Sequence, residues 1–243
     1  MSDGLDPLNS INARRRTYTH FDDCDGLGTV FTDLKQNSSG ATAVLDEADG
    51  VVEVATGATT PLDNDECYRE SAEVLKFENS FKVVSRIKFT EANTDDANVL
   101  AIGFQNAPVL ATVLGDAGAG PRGTYYGAMI YKVDGGTKWV CQTSVGSTQL
   151  TDTTDVLSTS ADFVDFEIEF QPTENGGTYG EVSFKIDGVH CTIDGSNTGE
   201  RIKHEIALAS ATEMAVLSGI KCGAATQEEV LKMDYIGWQA YRS

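Results

Sequence analysis

The sequence is short of the residues from which most catalytic and metal sites are built. It has three histidines, His20, His190 and His204, too few for a His-rich metal centre and little for a His-based triad to draw on. Its five cysteines (Cys24, Cys67, Cys141, Cys191, Cys222) are odd in number and widely spaced. With no C-x-x-C pair among them, a zinc site or disulfide framework is not indicated. Reduced thiols that pack as small apolar residues are expected instead, as in a chain made and folded in a cytosol. No apolar run approaches the roughly 20 residues that cross a bilayer, and the N-terminal segment has no signal-peptide core. Positive charge is scarce too: 18 Lys and Arg stand against 37 Asp and Glu, a net charge of −19. Such a surface repels phosphate backbones, so nucleic acid is not an expected partner, and no membrane partner is expected either.

What is present is enough for one substantial core. Hydrophobic residues make up 40% of the 243, and all-β sandwiches of roughly 200–250 residues fold as single domains. Residues 1–16 read as a polar arm ending in Arg14, Arg15 and Arg16, the only dense positive cluster in an acidic chain. The arm is either a frayed terminus or a tether. Residues 17–243 read as the domain. There the apolar pattern has period two: Phe81, Val83, Ile87 and Phe89 alternate with Lys82, Arg86 and Lys88. Phe166, Ile168 and Phe170 alternate with Asp165, Glu167 and Glu169, and Val182, Phe184 and Ile186 with Glu181, Ser183, Lys185 and Asp187. Alternation of this kind buries one face of a strand.

Further strands are expected at 50–56, 98–105, 124–133, 137–143, 189–193, 206–209, 216–222 and 230–241. The last should carry a bulge near Asp234–Gly237, because its apolar face changes sides there. Asp-Gly and Gly-Gly pairs between the runs supply the positive φ angles of tight hairpins. Only 107–114 suits a short helix, and it suits a loop equally well. The Gly-rich stretch 115–123 lacks the G-K-[ST] ending of a phosphate loop and reads as a flexible surface loop.

Several segments, in order, resemble the concanavalin/laminin-G-like jelly roll, in the version found in tailed-phage virion proteins. They are Phe21-Asp22-Asp23, Gly50–Gly57, Phe81–Phe89, Ile102-Gly103-Phe104, Phe166–Phe170, Gly180–Gly188 and Met233–Arg242. The resemblance implies a β-sandwich of two antiparallel sheets with a short extended N-terminal arm, its first and last strands side by side. It implies fold with more force than function, since this sandwich hosts many activities.

Enzymes on this fold include glycoside hydrolases, which need a carboxylate pair on one strand face. Asp165, Glu167 and Glu169 share a face, but as D-x-E-x-E rather than the E-x-D-x-E of those enzymes, and two tryptophans (Trp139, Trp238) are few for a sugar-stacking cleft. Polysaccharide lyases pair a Tyr with a His or basic residue. Tyr125, Tyr126, Tyr131 and His190 are available, without an R-x-E or Q-x-H pattern to position them. Laminin-G-like domains often hold Ca²⁺ at a loop rim. Asp63-Asn64-Asp65-Glu66 and Asp22-Asp23 with Asp25 are acidic enough, but lack EF-hand spacing. The expectation is no catalytic residue, no metal and no cofactor.

The leading functional expectation is a capsid decoration or cement protein on the virion surface, made in the host cytoplasm. Its partners would be the major capsid protein and itself, as a homo-oligomer, a trimer at a threefold position. The arm would supply the partner-binding residues Leu5, Leu8, Ile11, Arg14, Arg15 and Arg16. An alternative is a receptor- or host-glycan-binding domain of a head or tail fibre, using exposed aromatics such as Tyr125 or Trp139. A second alternative is a glycanase or lyase using Glu167 and Glu169.

Overall fold

The computed structural model describes residues 17–24, 26, 30–35, 40–45, 50–57, 62, 64–91, 96–116, 118–159, 162–173, 179–207, 212–223 and 228–241. These residues form two antiparallel sheets packed face to face, with no helix among them. One sheet runs, in spatial order, β13 (Val189–His190), β12 (Tyr179–Ile186), β11 (Val164–Pro172), β6 (Phe81–Thr90), β16 (Val230–Tyr241), β4 (Val51–Ala55), β3 (Ala41–Leu45). In the same sheet β1 (Thr17–Asp22) also pairs with β16, and β14 (Lys203–Ala207) with β12. The other sheet runs β10 (Thr148–Leu157), β9 (Lys138–Gly146), β8 (Tyr125–Lys132), β7 (Asn98–Gln105), β15 (Met214–Lys221), β5 (Glu66–Leu75), β2 (Phe31–Lys35). First and last strands are neighbours, as the jelly-roll resemblance implies: Thr17 pairs with Tyr241 and Asp22 with Ile236.

The period-two segments lie where their patterns place them. In β6 the burial alternates without a break, Phe81, Val83, Ile87 and Phe89 facing the other sheet. Ser85 is the one polar member of that row, and it donates its hydroxyl to the Ala101 carbonyl at 2.8 Å, so no buried polar group is left open there. Strand β16 is bulged between Met233 and Tyr235, which turns Ile236 and Trp238 back into the core. The β12–β13 hairpin turns through Asp187 and Gly188, with φ of 49° and 74°, a geometry that Asp-Gly tolerates and most pairs do not. The segment 107–114 is not a helix, because Ala107 and Ala111 take φ of 41° and 62°, outside the right-handed region. All five cysteines are buried free thiols.

A second, smaller core lies on the outside of the seven-stranded sheet. Leu100, Tyr125, Met129, Tyr131 and Leu217 point away from the sandwich and are covered by Val113 and Leu114 of the β7–β8 connection. The Gly-rich stretch is therefore not a loose surface loop: the apolar pair just before it seats the connection on the sheet. Buried Lys221 on β15 holds it from below, donating to the Leu114 carbonyl at 3.0 Å and to Asp116 Oδ1 at 2.6 Å. Glu66 on β5, also fully buried, accepts the Ala111 amide and lies 3.7 Å from Lys221 Nζ.

Candidate functional site

The candidate site lies on the outer face of the nine-stranded sheet, where the alternation of β11 points Asp165, Glu167 and Glu169. Register places lysines around the two glutamates. Glu167 stands opposite Lys185 of β12, and Glu169 opposite Lys82 of β6. Lys185 Nζ is 2.6 Å from Glu167 Oε1 and 3.9 Å from Glu169 Oε2, while Lys82 Nζ is 3.2 Å from Glu167 Oε2. Gln171 donates its amide to Glu169 at 2.6 Å. Burial works against ionisation of Glu167, but hydrogen bonds and charge from Lys185 and Lys82 outweigh it and hold the carboxyl below its ordinary value. A glycosidase acid needs the opposite shift.

These side chains, with Tyr241 at the end of β16, line a groove of about 460 Å³. Tyr241 is 38% exposed, and its backbone amide donates to the Ser80 carbonyl at 2.9 Å, fixing its place at the rim. The groove offers one aromatic face, an amide, two carboxylates and two ammonium groups. Lys82 and Glu169 were legible as outward residues of their strands, but their convergence with Tyr241 follows from the β6–β11–β16 register, which the sequence does not display.

The aromatics expected to be exposed are elsewhere. Trp139 is 1% exposed, its ring edge-on to Phe166 at 4.7 Å and to Phe89 at 5.9 Å in the main core. Tyr125 is equally buried, under the β7–β8 connection, where its hydroxyl donates to Gln142 Oε1 at 2.9 Å. Burial pushes the Tyr125 and Tyr131 hydroxyls above their ordinary values, the wrong direction for a lyase base. Neither ring is placed to meet a ligand.

His204 on β14 reaches across the sandwich edge, Nδ1 2.8 Å from Thr143 Oγ1 and Nε2 3.0 Å from Asp152 Oδ2. Burial lowers its pKa, partly offset by Asp152, and the ring bridges the two sheets. Thr143 and His204 are buried, and of the three only Asp152 reaches the surface.

The described members of the acidic stretches weighed for calcium make local contacts. Asp65 Oδ2 accepts the Leu62 amide at 2.6 Å, Asp22 Oδ1 accepts the Cys24 amide at 3.0 Å, and Glu66 faces Lys221. Asp25 and Asp63 lie outside the described residues, and among the described residues no group of three or more His, Cys, Asp or Glu is placed to hold a metal ion. The arm residues Leu5, Leu8, Ile11, Arg14, Arg15 and Arg16 also lie outside the described residues.

The two sheets and their strand order define a jelly-roll sandwich of the lectin-like type. No protein-family model and no curated protein matches the sequence. Solved structures do match its shape. The chain is similar to an endo-β-1,4-glucuronan lyase from the fungus Trichoderma reesei, with TM-score 0.59 and 9% identity, covering 90% of this chain and 94% of that one. It is similar to peanut lectin (TM-score 0.54, 10% identity, 94% and 99% covered) and to a protein of unknown function from Shewanella oneidensis MR-1 (0.53, 14%, 99% and 97%). At these identities the likeness establishes the fold that lectins and a glycan lyase share, and it does not extend to a specific virion protein.

Proposed function

We propose that this chain is a non-catalytic, lectin-like recognition domain that binds carbohydrate on the outer face of its nine-stranded sheet. The observation that carries this reading is the groove beside Tyr241. An exposed aromatic ring stands there next to carboxylates, an amide and ammonium groups already held in place by one another. Sugars present apolar C–H faces and paired hydroxyls, and a site of one rigid amphipathic ring with prepositioned donors and acceptors suits them. Binding without turnover is supported by the ion-paired state of Glu167 and by the burial of Tyr125, Tyr131 and His204.

The test is a glycan array and polysaccharide panel with the whole chain, followed by titration of any hit. Tyr241→Ala should weaken binding about ten-fold or more while leaving the unfolding midpoint nearly unchanged. A full panel with no binding, or turnover of any member, overturns this reading.

A second reading, display on a phage capsid, is favoured by charge. A run of three arginines precedes β1 in a chain of net charge −19, and β1 begins at Thr17, paired with the groove residue Tyr241. In this reading the arm, Leu5 to Arg16, tethers a trimer to the major capsid protein, and bound copies stabilise the shell by mass action. Deleting residues 1–16 should abolish co-sedimentation with assembled capsids. Undiminished occupancy without the arm sinks the tether.

A further inference from the structure

The outer face carries a second feature, across the strands from the groove. Phe21 of β1 is 54% exposed, the most exposed phenylalanine ring described. It is not loose. Its ring lies 5.0 Å from that of Tyr235, and the Tyr235 hydroxyl is anchored by donating to Asp165 Oδ1 at 2.6 Å. Gly237, the register partner of Phe21, leaves the room: a Cβ there would meet Phe21 Cδ2 at 3.2 Å and the His20 carbonyl oxygen at 2.7 Å. The sequence places an apolar ring in water and then fixes it, which gains little for the core and prepares a flat contact surface.

Register connects this shelf to the groove. One cross-strand row on the outer face reads Phe21, Gly237, Val84, Glu167, Lys185. It spans five strands, β1 to β12, or about 19 Å at the usual inter-strand spacing. The aromatic and half-buried aliphatic members lie at one end and the polar groove at the other. The row's own charges, Glu167 and Lys185, pair with each other, and beside the row Lys82 pairs with Glu167 and Arg86 with Asp234 at 3.0 Å and Asp165 at 3.9 Å.

From this juxtaposition we infer that the ligand is an uncharged oligosaccharide chain lying across the strands along this row, one end in the groove at Glu167 and Lys185, which Tyr241 flanks further along β16, and the other on the Phe21–Tyr235 shelf. The inference rests on the carbohydrate reading above and adds the ligand's length and charge. A single sugar would leave the shelf empty. A polyanionic glycan would meet Glu169 and Asp165 at close range and a net charge of −19 beyond, with no uncompensated cation in the row to offset desolvation. A neutral chain uses the remaining hydrogen-bonding capacity of paired carboxylates and ammonium groups without breaking the pairs.

Isothermal titration of the whole chain with mono-, di- and hexasaccharides of neutral glucans, mannans and galactans, beside alginate and hyaluronan oligomers, tests this. Affinity should rise with chain length for a neutral series. Phe21→Ala should lower affinity for the long member about ten-fold and leave the short one unchanged, and Phe21→Trp should retain long-chain affinity. Length-independent affinity, or unchanged long-chain binding by Phe21→Ala, overturns the shelf while leaving the groove standing. Tighter binding of the anionic oligomers overturns the neutral assignment. Unchanged binding by Tyr241→Ala removes the groove, and no binding by any member removes both. Since Phe21 is exposed, its variants should unfold at the wild-type midpoint, which separates lost binding from lost structure.

Discussion

Lys221→Ala should be among the most damaging single substitutions in the chain, costing about 3–5 kcal/mol of stability. The ammonium group is fully buried and has three partners: the Leu114 carbonyl, Asp116, and Glu66, which is itself buried. Removing it leaves a carbonyl unpaired and a carboxyl without its cation, and releases the connection that covers the outer core. Burial already raises the Glu66 pKa, and Lys221 is one of the groups that restrain that rise. The pH dependence follows in sign. A carboxyl whose folded pKa lies above its unfolded value is least costly below the unfolded value and becomes costlier as pH rises through the folded one. Lys221→Ala should therefore lose most near neutrality and recover part of the loss in mild acid. Urea midpoints at several pH values measure it, and Glu66→Gln added to Lys221→Met should restore much of the neutral-pH stability. A small, pH-independent loss would show that the connection is held by Val113 and Leu114 alone.

Trp139→Ala should cost about 3–5 kcal/mol by opening a cavity between the sheets. The ring fills the space between Phe89 and Phe166 of the opposite sheet, edge-on to both, so its removal strands two aromatic partners. Trp139→Phe should cost under about 2 kcal/mol, because it keeps an aromatic in the gap and the buried indole Nε1 has no hydrogen-bond partner among the described residues to lose. Chemical denaturation of the three proteins checks the order. Equal midpoints for all three would place this side chain at the surface.

The strands that could be read from the residues are those with one wet and one dry face. β6, β11 and β12 alternate cleanly, and β7 and β16 begin and end where expected. The strands at β2, β3, β5 and β10 give no such signal. β10, TQLTDTTDVL, is an edge strand with polar residues on both faces. β2 and β3 are five-residue edges. In β5, Glu66 and Arg69 look like surface residues, yet both are buried because Lys221 and Asp33 come to them from other strands. The same reasoning covers Lys221, whose burial depends on a connection more than a hundred residues away. At the site, the outward glutamates of β11 were visible in the alternation. Tyr241 and Phe21 were not, because exposure and register are properties of the assembled sheet. The expected aromatic contacts, Trp139 and Tyr125, failed for the same reason.

The pairing of the first and last strands bears on how the domain responds to load. Thr17, at the start of β1, faces Tyr241, at the end of β16, so chain entering and chain leaving the sandwich do so at one corner. Tension applied between those two points would not shear the pair along its length. It would part the ladder from Thr17–Tyr241 toward Asp22–Ile236, one register pair at a time, each worth about 1 kcal/mol. A copy held only by the segment before Thr17, with force acting on its body, has β1 as its first element to peel. Phe21, one rung from the far end of that ladder, would leave the shelf only after most of the pairing had gone, so the proposed carbohydrate shelf and the mechanical integrity of that corner share a strand.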